Sequence, residues 1–297
     1  MSNTMFAVKR ELEFLRDWKD HAGQSIYNRD VRDITSSEEV PLWKIADRLS
    51  KLAHYQGIAG LCEIASGAIR DGWMRCHLSF LYLFNSIIAK YVDFPRLRAS
   101  QGEEWTLDTD ITDFACCLMH AIVLSRSRER RIVARMLLNA VDTQMCTASF
   151  LRSNPLPAFA LWLNSMHADG DSLGKVPIAN SCYQQVVTNW NTSDRLNDAL
   201  KSLCDFHLNR MHTEESWESD DMYAFEGAYI LFPVELAALI ETRRVSGLEI
   251  PHVEHDFART EFATPLNVQP LRDEVLNRVL GLDVLRTAIQ YVDVFES

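Results

Sequence analysis

The sequence predicts an all-α protein built as stacked antiparallel αα-hairpins in an irregular helical array. Three observations lead to it. Apolar residues recur at spacings of three and four through most of the chain, as in Leu42, Ile45, Ala46, Leu49, Leu52 and Ala53, which places them on one helical face. Strict apolar–polar alternation, the mark of a half-buried strand, is scarce. Gaps as short as Tyr55 to Gly57 separate amphipathic segments, and such gaps fold consecutive helices back on one another.

In chain order the periodicity predicts helices over residues 4–20, 38–53, 57–70, 73–92, 109–124, 128–146, 157–166, 180–190, 194–210, 222–244 and 270–290. Ser36 and Glu39 have capping-box spacing, with Pro41 still in the first turn, where its missing N–H costs little. The most apolar stretch, residues 78–89, is flanked by Arg75, His77 and Lys90 and reads as a buried core helix too short to span a bilayer. Pro233 interrupts the run 222–244, predicting a kink or a fresh helix there. Arg243 and Arg244 ahead of Gly247 and Pro251 form a helix stop. Irregular stretches fall at 93–108, which holds Pro95 and Gly102, at 167–177, and at 252–270, an apolar and acidic segment expected to pack as an ordered arm. No repeat period holds across the chain. One all-helical domain over residues 1–297 is expected, with the 93–108 loop as its point of subdivision.

A chain of 297 residues, 47% hydrophobic, can bury a sizeable core. Thirty basic against 41 acidic residues give a net charge of -11, which repels phosphate backbones and favours basic partners. The first fifteen residues carry Lys9, Arg10, Glu11 and Glu13 and lack the build of a signal peptide. Cys62, Cys76, Cys116, Cys117, Cys146, Cys182 and Cys204 contain no CxxC pair and sit among apolar neighbours. They read as reduced, buried thiols of a cytoplasmic protein.

Motifs of catalysis occur only in fragments. Gly170-Asp171-Ser172-Leu173-Gly174 matches the G-x-S-x-G nucleophile pattern and the GDSL tetrapeptide of a serine esterase family. A helix rather than a strand precedes it, and no D-x-x-H supplies a base, so Ser172 would remain a weak nucleophile unless His167 or His207 served. Asp169, Asp171 and Gly174 imitate part of a calcium loop, but Leu173 and Asn180 stand where ligands are needed. His252, Glu254 and His255 form a compact cluster without a third ligand or the P-C-x-x-C partner of a zinc deaminase. Neither a phosphate loop nor G-x-G-x-x-G is present. No catalytic residue, metal or cofactor is therefore expected.

Charge is more informative. Arg126, Arg128, Arg130, Arg131 and Arg135 alternate with Glu129 and read as a solvated helix start, and Asp108, Asp110 and Asp113 mark an acidic one. Glu214, Glu215, Glu218, Asp220, Asp221 and Glu226 form a run with no intervening Lys or Arg, interleaved with Trp217, Tyr223 and Phe225. Carboxylates steer a basic partner while aromatics supply buried contact area, the mixture found on protein-recognition surfaces.

The segment Trp43, Ala46, Leu49, Ala53 and Gly57, with the later Tyr229, Pro233, Glu235, Leu236, Leu239, Arg244, Gly247 and Leu248, resembles all-helical immunity proteins of bacterial polymorphic toxin systems, and the immunity protein 49 family above all. Helical immunity proteins that neutralise toxin nucleases are a second resemblance. The resemblance implies a cytosolic, non-enzymatic antidote that occludes a cognate toxin, with no catalytic residues to transfer. The expected partner has a basic contact surface and is neither nucleic acid nor membrane. Contact residues are expected among Glu214, Glu215, Trp217, Glu218, Asp220, Asp221 and Tyr223. The alternatives are a GDSL-type hydrolase using Ser172 and a helical-repeat scaffold or regulator.

Overall fold

The structure, a computed structural model, describes residues 3–35, 40–102, 104–167, 178, 181–211 and 225–294. Among the described residues there are helices and turns and no strand, so the chain is all-α. They gather into two compact units. One comprises Met1–Glu11 with Leu107–Pro265, the other Leu12–Thr106 with Leu266–Ser297.

The helix α1 (Asn3–Trp18) begins in the first unit and, from Leu12, belongs to the second, where it runs into a π turn (Lys19–Gly23) and on into α2 (Gln24–Thr35). The π turn is defined by the Gln24 N–H donating to the Lys19 carbonyl five residues back. Gly23 allows it, because a Cβ there would lie 2.7 Å from the Trp18 ring. Periodicity predicts an end at residue 20 and misses α2, whose only apolar anchor among its buried residues is Ile34 beside Asp30. An ion-pair fork docks it instead: Arg48 Nη1 lies 2.6 Å from Asp30 Oδ1 and Nη2 2.9 Å from Asp33 Oδ2.

The core of this unit is the hairpin of α3 (Leu42–Ala65) and α4 (Ile69–Gln101). The predicted break at Tyr55 to Gly57 is absent. Those residues are buried, and packing against α4 overrides the weak helix propensity of glycine. The real turn is Ser66 to Ala68, where Gly67 takes φ +91° and the Ala68 N–H reaches back to the Glu63 carbonyl, a Schellman closure. Gly60 then meets Gly72: a Cβ on Gly60 would lie 2.6 Å from the Gly72 oxygen, and one on Gly72 2.5 Å from the Gly60 oxygen. Further along, Ser79 Oγ donates to the Ala53 carbonyl and Ser86 Oγ to that of Ala46, each at 2.7 Å, fixing an antiparallel register. The helix continues through Pro95 to Gln101, where the sequence predicted irregular structure from Asp93, with Arg96 clamping both Asp93 oxygens at 2.6 Å.

The predicted helix 270–290 is two, α12 (Glu274–Leu280) and α13 (Asp283–Asp293), separated at Gly281 and Leu282. The segment before them is tied to α4: His77 Nε2 donates to the Leu266 carbonyl, Leu271 N–H to that of Met74, and Tyr82 OH to Asp273 Oδ1. That same Asp273 oxygen caps α12 by accepting the Leu276 N–H at 2.9 Å.

The first unit is arranged around α5 (Ile111–Val123), which packs on α6 (Ser127–Asp142), α8 (Leu156–Met166) and α11 (Val234–Val245). Apart from Asp113, every α5 residue from Ile111 to Ile122 is buried, as expected of a helix apolar all round. Between α6 and α8 lies α7 (Ala148–Ser153), which falls between the predicted helices 128–146 and 157–166 and is missed. Thr147 caps it, and Asp108 holds Thr147 through both its N–H and its hydroxyl at 2.7 Å. Next come α9 (Cys182–Thr188) and α10 (Ser193–Leu208). A fresh helix does begin at Pro233, which sits at the N-cap of α11 behind a 3₁₀ turn at Gly227–Ile230. The α11 stop at Gly247 has φ +67°, with Leu248 N–H bonded to the Arg243 carbonyl. Beyond it, Val253, Phe257 and Phe262 are buried, so this part of the arm is ordered. No helix among the described residues is long and apolar enough to cross a membrane. The predicted capping pair Ser36 and Glu39 lies outside the described residues.

Two predictions follow from packing and burial. Gly72→Ala gains up to about 1 kcal/mol of helix propensity but drives a methyl into the α3 backbone, so a net loss of roughly 1–3 kcal/mol is expected in urea denaturation. The second concerns Glu11, 2% exposed, whose carboxyl burial pushes up to about 7 from its ordinary 4.5. Below 4.5 both folded and unfolded chains hold the proton and nothing is lost. As pH climbs from 4.5 towards 7 the unfolded carboxyl ionises first, so stability falls, by roughly 3 kcal/mol once above 7. Glu11→Gln should flatten that fall in calorimetric scans from pH 5 to 8, and parallel profiles for the two proteins would count against it.

Candidate functional site

The acidic and aromatic residues Glu214, Glu215, Trp217, Glu218, Asp220, Asp221 and Tyr223 lie outside the described residues, as do Ser172 and the surrounding 170–174 loop. The structure does describe the chain on either side of the acidic run. The N–H of Phe225 donates to the Arg210 carbonyl at 3.2 Å, joining the two flanks by one backbone bond. Met211 is buried on one side, and on the other the Phe225 ring stacks on His207 with centroids 4.3 Å apart.

His207 belongs to a polar knot in the core of the first unit. Its Nδ1 lies 2.6 Å from Glu235 Oε1 and its Nε2 3.2 Å from the Ile230 carbonyl, with both side chains fully buried. A carbonyl only accepts, so Nε2 carries hydrogen, and one shared proton lies between Nδ1 and the carboxyl. The knot joins α10, α11 and the 3₁₀ turn, and it seats Phe225. With both ring nitrogens engaged, His207 is committed to structure. His167 stands at the C-cap of α8.

The other sequence candidates are dispersed into local roles. His255 Nδ1 accepts the Phe257 N–H at 3.1 Å and its Nε2 donates to Asp205 Oδ1 at 3.1 Å, Glu254 is 3.8 Å from Lys201, and His252 is exposed. Among the described residues no group of three metal-ligating side chains gathers. The arginine run divides likewise, Arg126 pairing with Glu129 at 3.0 Å while Arg130, buried, donates to Asn164 Oδ1 at 2.9 Å. All seven cysteines are free, six buried and Cys182 half-buried, and burial pushes the thiols of Cys146, Cys182 and Cys204 up to about 12.

A site that the sequence analysis did not single out lies in the second unit. The π turn contributes Lys19 and Asp20, α2 begins with Gln24, α3 adds Tyr55, Ala59 and Glu63, and α4 supplies Arg75, together enclosing a pocket of about 310 Å³. A hydrogen-bonded chain through Gln56 and Tyr27 backs its wall. Arg75 donates from Nε to Glu63 Oε1 at 2.6 Å and from Nη1 to Gln56 Oε1 at 2.9 Å, and Gln56 donates onward to the Tyr27 hydroxyl. Tyr55 OH donates to Gln24 Oε1, and the Tyr27 and Tyr55 rings lie 4.5 Å apart. Burial pushes both phenols up, partly opposed at Tyr55 by the charges of Lys19 and Arg75. Gln56 and Glu63, seven residues apart, share one α3 face with Ala59 between them, a polar pair legible in sequence.

No family model matches the chain, and no curated protein or solved structure matches it.

The knot generates its own test. Glu235→Ala strands the His207 imidazole in the core and should cost about 3–5 kcal/mol in equilibrium unfolding. Glu254→Ala, at an exposed and loose ion pair, should stay within about 0.5 kcal/mol of wild type.

Proposed function

We propose that this chain is a non-enzymatic immunity protein that binds and neutralises a cognate bacterial toxin in the cytosol. The observation that carries the reading is the acidic run at 214–226, uninterrupted by any basic residue and interleaved with Trp217 and Tyr223, in a chain of net charge -11. Such a run attracts a basic surface at long range and offers rings for close contact. The fixed flanks support it. The Phe225–Arg210 bond and the Phe225–His207 stack hold the flanks of the run to buried structure. The all-helical fold and the soft likeness to helical immunity proteins agree with this reading.

The experiment is co-expression with the toxin encoded beside the gene, followed by titration of the purified pair. Restored growth and a complex at micromolar concentration or tighter are expected. Reversing Glu215, Glu218 and Asp221 to lysine together should weaken the complex at least about tenfold, with greater loss at low salt, and leave the melting temperature unchanged. A chain that neither rescues growth nor forms the complex is not this toxin's antidote, and unchanged affinity in the triple variant removes the run from the interface.

A further inference from the structure

We propose that the pocket at the π turn binds a small zwitterion of the free α-amino acid class. This stands apart from the partner-binding reading, since it concerns residues 19–75 rather than the acidic run.

The pocket carries both signs of charge in equal number, Lys19 and Arg75 against Asp20 and Glu63. A simple anion would meet two carboxylates and a simple cation two cationic heads. A molecule bearing a carboxylate and an ammonium a few bonds apart satisfies both pairs at once. The donor inventory agrees. Arg75 uses Nε on Glu63 and Nη1 on Gln56, which leaves guanidinium hydrogens over, and Lys19, paired with Asp20 at 3.2 Å, also has hydrogens to spare. On the acceptor side, Glu63 Oε2 is shielded from solvent and meets no hydrogen-bond donor in the protein. A carboxylate spanning Lys19 and Arg75, with an ammonium towards Asp20 and Glu63, supplies what each lacks.

Size and local geometry point the same way. About 310 Å³ is at the small end of ligand pockets and suits a molecule of amino-acid size. Ala59 leaves the space, and the Tyr55 ring offers an apolar wall for the ligand's own side chain. The π turn that sets Lys19 and Asp20 at the rim is a rare conformation, of the kind that interrupts helices at binding sites.

The test uses the full chain, titrated calorimetrically with each common amino acid and, in parallel, with acetate and methylammonium. At least one amino acid should bind with Kd between about 1 μM and 1 mM, and the two single-charge probes should not. Lys19→Gln and Asp20→Asn, both on the surface turn, should each weaken binding at least about tenfold while the circular dichroism and melting curve stay as in wild type. Arg75→Lys, which keeps the charge but loses the fork, should do the same. Three results would each overturn the proposal: no amino acid binding at about 10 mM, acetate or methylammonium binding as well as any amino acid, or wild-type affinity in the two turn variants.

Discussion

The contact between Gly60 and Gly72 sets the geometry of the second unit. With no side chain on either residue, the α3 and α4 backbones approach until each glycine's absent Cβ would overlap the other's carbonyl. Larger residues at both positions would hold the axes further apart. At this separation Ser79 and Ser86 reach carbonyls on the facing helix, and Arg75 reaches both Glu63 and Gln56. The pocket wall is therefore a consequence of the glycine contact. Residues from one to about four turns away from it are brought within bonding distance because the backbones are already close.

The first unit solves its packing differently. There α5 is buried all round, and three large polar side chains of the surrounding helices turn inward with partners. Arg130 has Asn164, His207 has Glu235 and the Ile230 carbonyl, and Arg243 donates to the Trp190 and Glu249 carbonyls while its guanidinium lies 4.8 Å from the Trp190 ring centroid. Apart from the Arg243–Glu249 bond, each pair joins segments more than twenty residues apart in the chain. Such bonds contribute modestly over water but become expensive to break once buried, so they select one arrangement of helices over others of similar apolar burial.

Much of the helical content was legible in the sequence, and the reasons for the failures are physical. Apolar periodicity located α4, α5, α8 and α10, and Pro233 and Gly247 marked the ends of α11, because these signals are local. The continuous α3 was not legible at Gly57, where local propensity argues for a break and tertiary burial prevails. The helix α2 was invisible because Arg48, eighteen residues beyond Asp30, supplies its anchor. The π turn left no periodic trace, since it exists to slip the period. As to sites, the acidic run could be picked out by composition alone, whereas the pocket needed the fold to bring residue 19 to residue 75. Its single early sign was the polar pair Gln56 and Glu63 on one face of α3.

That pair bears on why the pocket is polar at all. Arg75 and Glu63 are each about a third exposed, at 31% and 32%. Ion pairs so open to water contribute little to stability, about 0–1 kcal/mol. The hairpin has no need of this one, since apolar burial and the glycine contact already join the helices there. Leucine or methionine at these positions would bury more apolar area against Tyr55 and Ala59. A charged, hydrogen-bonded wall that adds so little to folding, set beside a turn that interrupts a helix, is better understood as a surface shaped for a guest.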